Sequence, residues 1–311
     1  MRAVQISEHG GPEVMEVVDV PAPEAGPDQL LVDVATVGVN YRDVYERNGS
    51  YGGGLPAIIG VEGAGAVAGT GERVAWVSAP ATYAEQVAVD SDRAVPVPEG
   101  LSDEVAAAAL LQGITAHYLA TSTHEVRDGE NVLIHAAAGG VGLLLTQIVT
   151  MRGGRVIATT STDEKAELAR EAGAAEVIGY DGFTERAKEL TAGIGADVVY
   201  DGVGAATFDE SLGSLRPRGE MVLFGAASGK VPPFDPMRLE HGGSLYLTRP
   251  GIRHYSATRE ELLDRARDVF TWIAEGALRV RIGGRYPLEE ARRAHEDLEA
   301  RRTTGKLVLL P

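Results

Sequence analysis

Asn131-Val132-Leu133-Ile134-His135-Ala136-Ala137-Ala138-Gly139-Gly140-Val141-Gly142 is the stretch whose reading decides the fold. Val132 to Ile134 form a short apolar run suited to a strand buried on both faces, and Leu143-Leu144-Leu145-Thr146-Gln147-Ile148-Val149 continues as a buried helix. From Ala136 to Gly142 no side chain is larger than valine. A turn of that kind lets a pyrophosphate approach the backbone and rest on the free N–H groups of a helix N-terminus, where the macrodipole favours negative charge. Laid on the dinucleotide fingerprint G-x-G-x-x-G, the three positions are Ala137, Gly139 and Gly142, so the first glycine is missing. A tight strand-to-helix turn without a ligand fits these residues equally well, and the rest of the chain decides between the two.

The length of 311 residues suggests about two domains, and a hydrophobic fraction of 44% supports real cores. No run approaches the roughly 18 apolar residues of a membrane span. The start, Met1-Arg2-Ala3-Val4-Gln5, lacks the apolar core of a signal peptide, so a soluble, cytoplasmic protein is expected. The absence of cysteine removes disulfides, thiol catalysis and thiolate metal sites together. A formal charge of −16 argues against nucleic acid or an anionic membrane as partner. Any anionic ligand must be held by a few local cations.

The first hundred residues read as β. Gln29-Leu30-Leu31-Val32-Asp33-Val34-Ala35-Thr36-Val37, Gly63-Ala64-Gly65-Ala66-Val67-Ala68 and Arg73-Val74-Ala75-Trp76-Val77 are short segments separated by breaks such as Pro21-Ala22-Pro23 and Gly52-Gly53-Gly54. They predict a small barrel or sandwich. An Ala- and Leu-rich helix over residues 103–120 leads out of it. From Asn131 the pattern becomes strand, helix, strand: Val156-Ile157-Ala158-Thr159-Thr160 is a strand, and residues 163–172 are a helix capped by Ser161 or Thr162 and stopped by Gly173. Ala175-Glu176-Val177-Ile178, Asp197-Val198-Val199-Tyr200 and Met221-Val222-Leu223-Phe224 are further strands, the last two closely followed by Gly202 and Gly225. Repeated βα units predict a parallel, doubly wound sheet with ligands outside the carboxyl ends of its strands. Two more helices follow, over residues 260–275 and 288–301. The terminal Lys306-Leu307-Val308-Leu309-Leu310 should pair with the N-terminal β domain, making the nucleotide domain an insertion.

An NAD-type site usually ends its second strand in Asp or Glu, which accepts from the ribose 2′-hydroxyl. Here that strand ends Thr159-Thr160-Ser161; Asp163 and Glu164 lie in the next helix's first turn, and Lys165 follows them. Hydroxyls with a cation suit a 2′-phosphate, which a carboxylate would repel. One such charged hydrogen bond is worth about 10- to 150-fold in affinity.

Ala136-Ala137-Ala138-Gly139-Gly140-Val141-Gly142 with Gln147, Leu110-Leu111-Gln112-Gly113-Ile114-Thr115-Ala116 before it, and Gly242-Gly243-Ser244-Leu245-Tyr246-Leu247-Thr248-Arg249-Pro250 after it together resemble the zinc-free quinone oxidoreductases of the medium-chain dehydrogenase/reductase superfamily, the zeta-crystallin type. The similarity runs through essentially the whole chain. It implies an α/β protein with a GroES-like β-barrel domain (residues 1–115 and 251–311) plus a doubly wound Rossmann domain (residues 116–250), NADPH as cofactor, and a homodimer. The resemblance places Lys165, Tyr180 and Arg301 around the 2′-phosphate, Arg301 competing with its neighbour Arg302. Ser161, Thr115, Ala137, Gly139, Gly140, Val141, Gly142, Gly202 and Phe224 complete the cofactor site that it implies. Metal-bearing relatives hold zinc with a Cys and with the His of a Gly-His-Glu motif; the corresponding stretches here are Val39-Asn40-Tyr41-Arg42-Asp43 and Gly60-Val61-Glu62-Gly63. Both ligands are absent, and Glu62 reads as a structural acid bonding to backbone. The seven histidines offer no pair at i, i+4, so a metal-free enzyme is expected.

Without a Lewis acid, hydride transfer suits electron-poor acceptors such as quinones or conjugated carbonyls. Asn40, Asp43, Tyr45 and Tyr51 match the segment that lines the family's substrate pocket, with Arg249 at its edge. A Tyr hydroxyl can protonate a reduced carbonyl oxygen. In the superfamily's enoyl thioester reductases the proposed donor is a Tyr at the place of Tyr51. Two other readings remain: reduction of an activated C=C bond in a 2-alkenal or enoyl thioester, and an NADPH-binding protein with little turnover. The β domain departs from the family in having almost no loop over residues 69–71. The apolar strand Leu245-Tyr246-Leu247-Thr248 comes last in the Rossmann domain; paired with its own copy across a two-fold axis it would form a dimer.

Overall fold

The computed structural model describes all 311 residues, Met1–Pro311, and divides into two units: residues 1–114 with 256–311, and residues 115–255. The first unit opens with β1 (Arg2–Ile6), β2 (Met15–Asp19), β3 (Gln29–Val39), α1 (Tyr41–Arg47), β4 (Ala57–Ile58), β5 (Glu62–Val67), β6 (Arg73–Val77), β7 (Gln86–Asp90), β8 (Ala94–Pro96) and α2 (Asp103–Tyr118). β3 is its hub. Val32, Val34, Val37 and Val39 of β3 are buried, and the strand is long enough to pair antiparallel with both β5 and β7. The core gathers Trp76 and Tyr83, and the Trp76 Nε1–H donates to Thr82 Oγ1 at 3.1 Å, so the buried indole is satisfied. Between β5 and β6 the short loop is a tight hairpin: Val67 N–H donates to Glu72 O and Gly71 N–H to Val67 O, both at 2.9 Å.

The second unit contains β9 (Asn131–Ile134), α3 (Gly140–Met151), β10 (Arg155–Thr159), α4 (Asp163–Glu171), β11 (Glu176–Ile178), α5 (Phe183–Leu190), β12 (Ala196–Asp201), α6 (Phe208–Gly213), β13 (Leu215–Leu223), α7 (Met237–His241) and β14 (Tyr246–Thr248). All neighbours in its six-stranded sheet are parallel, in the order β11-β10-β9-β12-β13-β14. This is the doubly wound order, whose reversal falls between β9 and β12, where such folds take their ligands. Thr162 is the cap of α4, its hydroxyl accepting from Lys165 N–H. β13 starts earlier than expected because its first residues, around Pro217 and Gly219, carry a register shift that interrupts the regular strand pattern.

Returning to the first unit, the chain forms α8 (Arg259–Ala274), β15 (Ile282–Pro287), α9 (Ala291–Glu299) and β16 (Lys306–Leu310). As expected, β16 joins the N-terminal β unit, antiparallel to β3 with Leu307 opposite Val39. Sequence reading passed over β15, whose Ile282-Gly283-Gly284-Arg285-Tyr286-Pro287 carries three residues that weaken strands. It is tolerated because β15 is an edge strand, paired only with β16. No helix is long and apolar enough to cross a membrane.

Candidate functional site

In the second unit the glycine-rich turn leaves β9 and enters α3. Its strain sits at Ala136, a non-glycine residue at φ 50°, so Ala137 at the first fingerprint position meets no demand for glycine. Gly142 is different. A Cβ there would lie 2.4 Å from Ala136 O and 2.7 Å from Ala137 Cα, both backbone atoms that cannot step aside. Gly139 is less constrained, its Cβ reaching Ala136 O at 3.1 Å. It is the N-cap of α3 and contributes no side-chain cap, so the first N–H groups of this helix, at Gly140 and Val141, present an anion-binding end built only of backbone.

Tyr180 follows β11, and its hydroxyl oxygen accepts the Ala136 N–H at 3.0 Å, bracing the turn while its own O–H remains able to donate. Lys165 sits half-buried in the first turn of α4, after the exposed Ser161. Thr115 is buried. Past the end of β12, Gly202 lies under the Phe224 ring, which a Cβ would meet at 2.8 Å. The exposed Arg249 donates from Nη1 to Leu223 O at 2.7 Å, closing the carboxyl end of β13.

One polar network here was not singled out from sequence. His135, wholly buried, contacts Thr159 Oγ1 at 2.8 Å through Nδ1 and Ser211 Oγ at 2.9 Å through Nε2. Ser211 and Thr207 both donate to Asp201 Oδ2. Since the Ser211 hydrogen is committed to Asp201, His135 Nε2 must carry the ring proton and Nδ1 accepts from Thr159. Burial pushes the imidazole down to about 4 against the opposing pull of Asp201, so the ring is neutral and structural. The available signal was an Asp at a strand end with hydroxyls six and ten residues on.

In the first unit, α1 follows β3 and starts a ladder of aromatic rings that ends at Tyr51, beyond the helix. Tyr41 and Tyr45 have centroids 5.5 Å apart, Tyr45 and Tyr51 5.3 Å, and the Arg42 guanidinium lies 5.8 Å from the Tyr51 ring. Tyr45 is half-buried and Tyr51 is 56% exposed. Asn40 and Asp43 are instead drawn inside. The Asn40 amide donates to Gly38 O at 3.1 Å and Glu62 Oε2 at 2.8 Å, and its oxygen accepts from Lys306 Nζ at 2.7 Å. Both amide hydrogens are therefore spent, and Asn40 cannot polarise an acceptor by donation. Asp43 is fully buried, accepting at Oδ2 from Asn40 N–H at 2.8 Å and Tyr83 O–H at 3.0 Å. Glu62 is also fully buried; it accepts from Leu111 N–H at 2.6 Å and forms an ion pair with Lys306 Nζ at 2.5 Å. Its partners are thus α2 backbone, an amide and an ammonium. At the end of α9 the exposed Arg301 adopts a left-handed φ of 57°, whereas Arg302 is tied to Asp297 Oδ1 at 2.6 Å.

Comparison with known proteins then fixes the family. Residues 26–99 match the alcohol dehydrogenase GroES-like domain, and residues 140–266 match the zinc-binding dehydrogenase domain. A quinone oxidoreductase of Pseudomonas aeruginosa is 43% identical, the alignment covering 100% of this chain and 99% of the relative. This chain belongs to the quinone oxidoreductase family of the medium-chain dehydrogenases/reductases. Mycobacterial Rv1454c in complex with NADPH superposes on this family member with a TM-score of 0.97 at 49% identity, each chain covered to 100%. A 2-haloacrylate reductase of Burkholderia is 38% identical over 99% of this chain and 98% of that protein. Despite the name of the matched zinc-binding domain, the two stretches expected to carry a zinc-binding Cys and His read Val39-Asn40-Tyr41-Arg42-Asp43 and Gly60-Val61-Glu62-Gly63 in this family member.

Proposed function

We propose that this chain is a cytoplasmic, NADPH-dependent quinone reductase that needs no catalytic metal. The observation that carries the reading is the closed cluster of Asn40, Glu62 and Lys306. The one carboxylate retained from the metal-site motifs already holds a buried ammonium, and neither a thiolate nor an imidazole stands beside it. Acceptors must then be those that take a hydride without a Lewis acid. Quinones qualify, which agrees with the activity named for the Pseudomonas relative.

The residues fit NADPH. The backbone approach guarded by Gly142 and the N-terminus of α3 would take the pyrophosphate, and Ser161, Lys165, Tyr180 and Arg301 the 2′-phosphate, with Thr115, Gly202 and Phe224 along the rest of the cofactor. The chemistry that NADPH supplies when bound is a hydride for the acceptor. Tyr45 and Tyr51 stack with the acceptor ring, and one of their hydroxyls gives the proton that completes the hydroquinone. Asn40 and Asp43 act by holding that segment, and Arg249 borders the pocket.

Replacing Lys165 with alanine should weaken NADPH about 10- to 150-fold and leave NADH nearly unchanged. Titrations of both nucleotides by nicotinamide fluorescence check this, and an equal loss for both would contradict the assignment. Reduction of an activated C=C bond is the second reading, favoured by the likeness to the 2-haloacrylate reductase. A homodimer is also proposed, because β14 ends its sheet and leaves Tyr246 64% exposed. Sedimentation at micromolar concentration should give twice the chain mass of 32.7 kDa; a monomer would contradict it.

A further inference from the structure

A second buried polar system runs beneath α1, and its hydrogens point one way. Arginine has no acceptor, so in the 2.9 Å contact between Arg47 Nη1 and His295 Nδ1 the imidazole accepts. The ring proton is then on Nε2 and is donated to Tyr83 Oη at 3.0 Å, and the Tyr83 O–H is donated to Asp43 Oδ2 at 3.0 Å. Burial and the Arg47 charge push His295 down to about 3, which keeps the ring neutral. Arg47 is anchored in turn by both oxygens of Glu299, at 3.0 and 2.8 Å. The chain ends at a carboxyl that closes the capping box of α1 through the Asn40 N–H and whose second oxygen, Oδ1, has no hydrogen-bond partner.

We propose that Asp43 is a positioning residue: its carboxyl, held by the Arg47–His295–Tyr83 donor chain and unsatisfied at Oδ1, sets how firmly α1 seats Tyr41, Tyr45 and Tyr51, and does so according to its charge. This rests on the reading above only where it assigns Tyr45 and Tyr51 to the acceptor. The two donors on Oδ2 favour the anion, while enclosure in the barrel favours the neutral acid, whose proton belongs on Oδ1. The other groups facing it are Arg42 and Glu46 on α1, Lys306 on β16, Tyr83 between β6 and β7, and His295 on α9. Burial outweighs the Asn40 N–H, Arg42 and Lys306, raising the carboxyl to about 7.

The direction of the effect follows by linkage. In a state where α1 swings away, Asp43 meets water and titrates near the ordinary ~4 of an aspartate. Between these two values the seated form holds a proton that the released form lacks, so seating is firmest in acid and weakens as pH rises to about 7. The weakening is at most about tenfold per pH unit and ends above that window.

Asp43 is tested by carboxyl ¹³C NMR of aspartate-labelled protein, with hydrogen exchange of residues 41–51 read as protection factors. The Asp43 signal, identified by its loss in Asp43→Asn, should titrate near neutrality. Tyr83→Phe removes a donor to the anion and should move that midpoint up by roughly one to two pH units; if Asp43→Asn does not fold, correlation of the carboxyl carbon through its own β-protons to the Asp43 backbone amide identifies the signal instead. Protection of residues 41–51 should fall with rising pH in the wild type and stay flat in Asp43→Asn. A midpoint near the ordinary aspartate value, an unmoved midpoint in Tyr83→Phe, or pH-independent protection in the wild type would each overturn the proposal. None of these readouts uses a quinone, so absent turnover with the titration intact would count against the functional reading alone.

Discussion

Lys306→Met is expected to cost the barrel unit about 3–5 kcal/mol, a large share of the roughly 5–15 kcal/mol that holds a typical domain. Lys306 is 1% and Glu62 0% exposed, and the ammonium also serves the Asn40 oxygen. Methionine keeps the length of the side chain and removes only the charge. Glu62 is then left with the Asn40 amide and the Leu111 N–H, neither of which carries positive charge. The penalty is that of a buried carboxylate without its counter-ion, and it differs from the worth of the pair. Removing both charges, in Glu62→Gln with Lys306→Met, should therefore regain much of the loss. Urea unfolding followed by the emission of the two tryptophans, Trp76 and Trp272, both in this unit, reads it directly. A single variant within about 1 kcal/mol of wild type would show that the pair is not the anchor described.

Gly142→Ala is expected to weaken NADPH by about 5- to 150-fold, the equivalent of the 1–3 kcal/mol usual for forcing a methyl into close-packed atoms. The neighbours of that methyl would be Ala136 O at 2.4 Å, Ala137 Cα at 2.7 Å and Ala137 C at 2.8 Å. All are backbone of the turn that would meet the pyrophosphate, so relief of the clash displaces the site itself. Gly139→Ala is the control, since its nearest neighbour is at 3.1 Å. Nicotinamide fluorescence titration should rank the losses Gly142→Ala well above Gly139→Ala, and equal losses would contradict the geometry.

The parallel sheet was legible because β9, β10 and β12 each carry a fully buried apolar run, Val132-Leu133-Ile134, Val156-Ile157-Ala158 and Val198-Val199-Tyr200. A hydroxyl cap ahead of two acids and a lysine was legible, but Ser161 and Thr162 fitted equally until the structure gave the role to Thr162. β15 was not, since two glycines and a proline conceal a strand that only its partner β16 makes stable. Distance in sequence hid the rest. Glu62 meets Lys306 across 244 residues, and Arg47 meets His295 across 248, so no spacing rule could join them. Asn40 and Asp43 stood out as polar residues in the segment expected to line the pocket, but sequence does not show which polar residues turn inward. The β-region backbone of Asn40 and the capping box at Asp43 bring both into the core, while Tyr45 stays half-buried and Tyr51 exposed.

NADPH oxidation by protein treated exhaustively with a chelator, followed by absorbance with 1,4-benzoquinone, a larger ortho-quinone and a 2-alkenal, tests the central claim most directly. Rapid quinone turnover that chelation does not diminish is the expected result. Turnover that falls on chelation and returns with zinc, turnover with the alkenal alone, or NADPH binding without any turnover would contradict it.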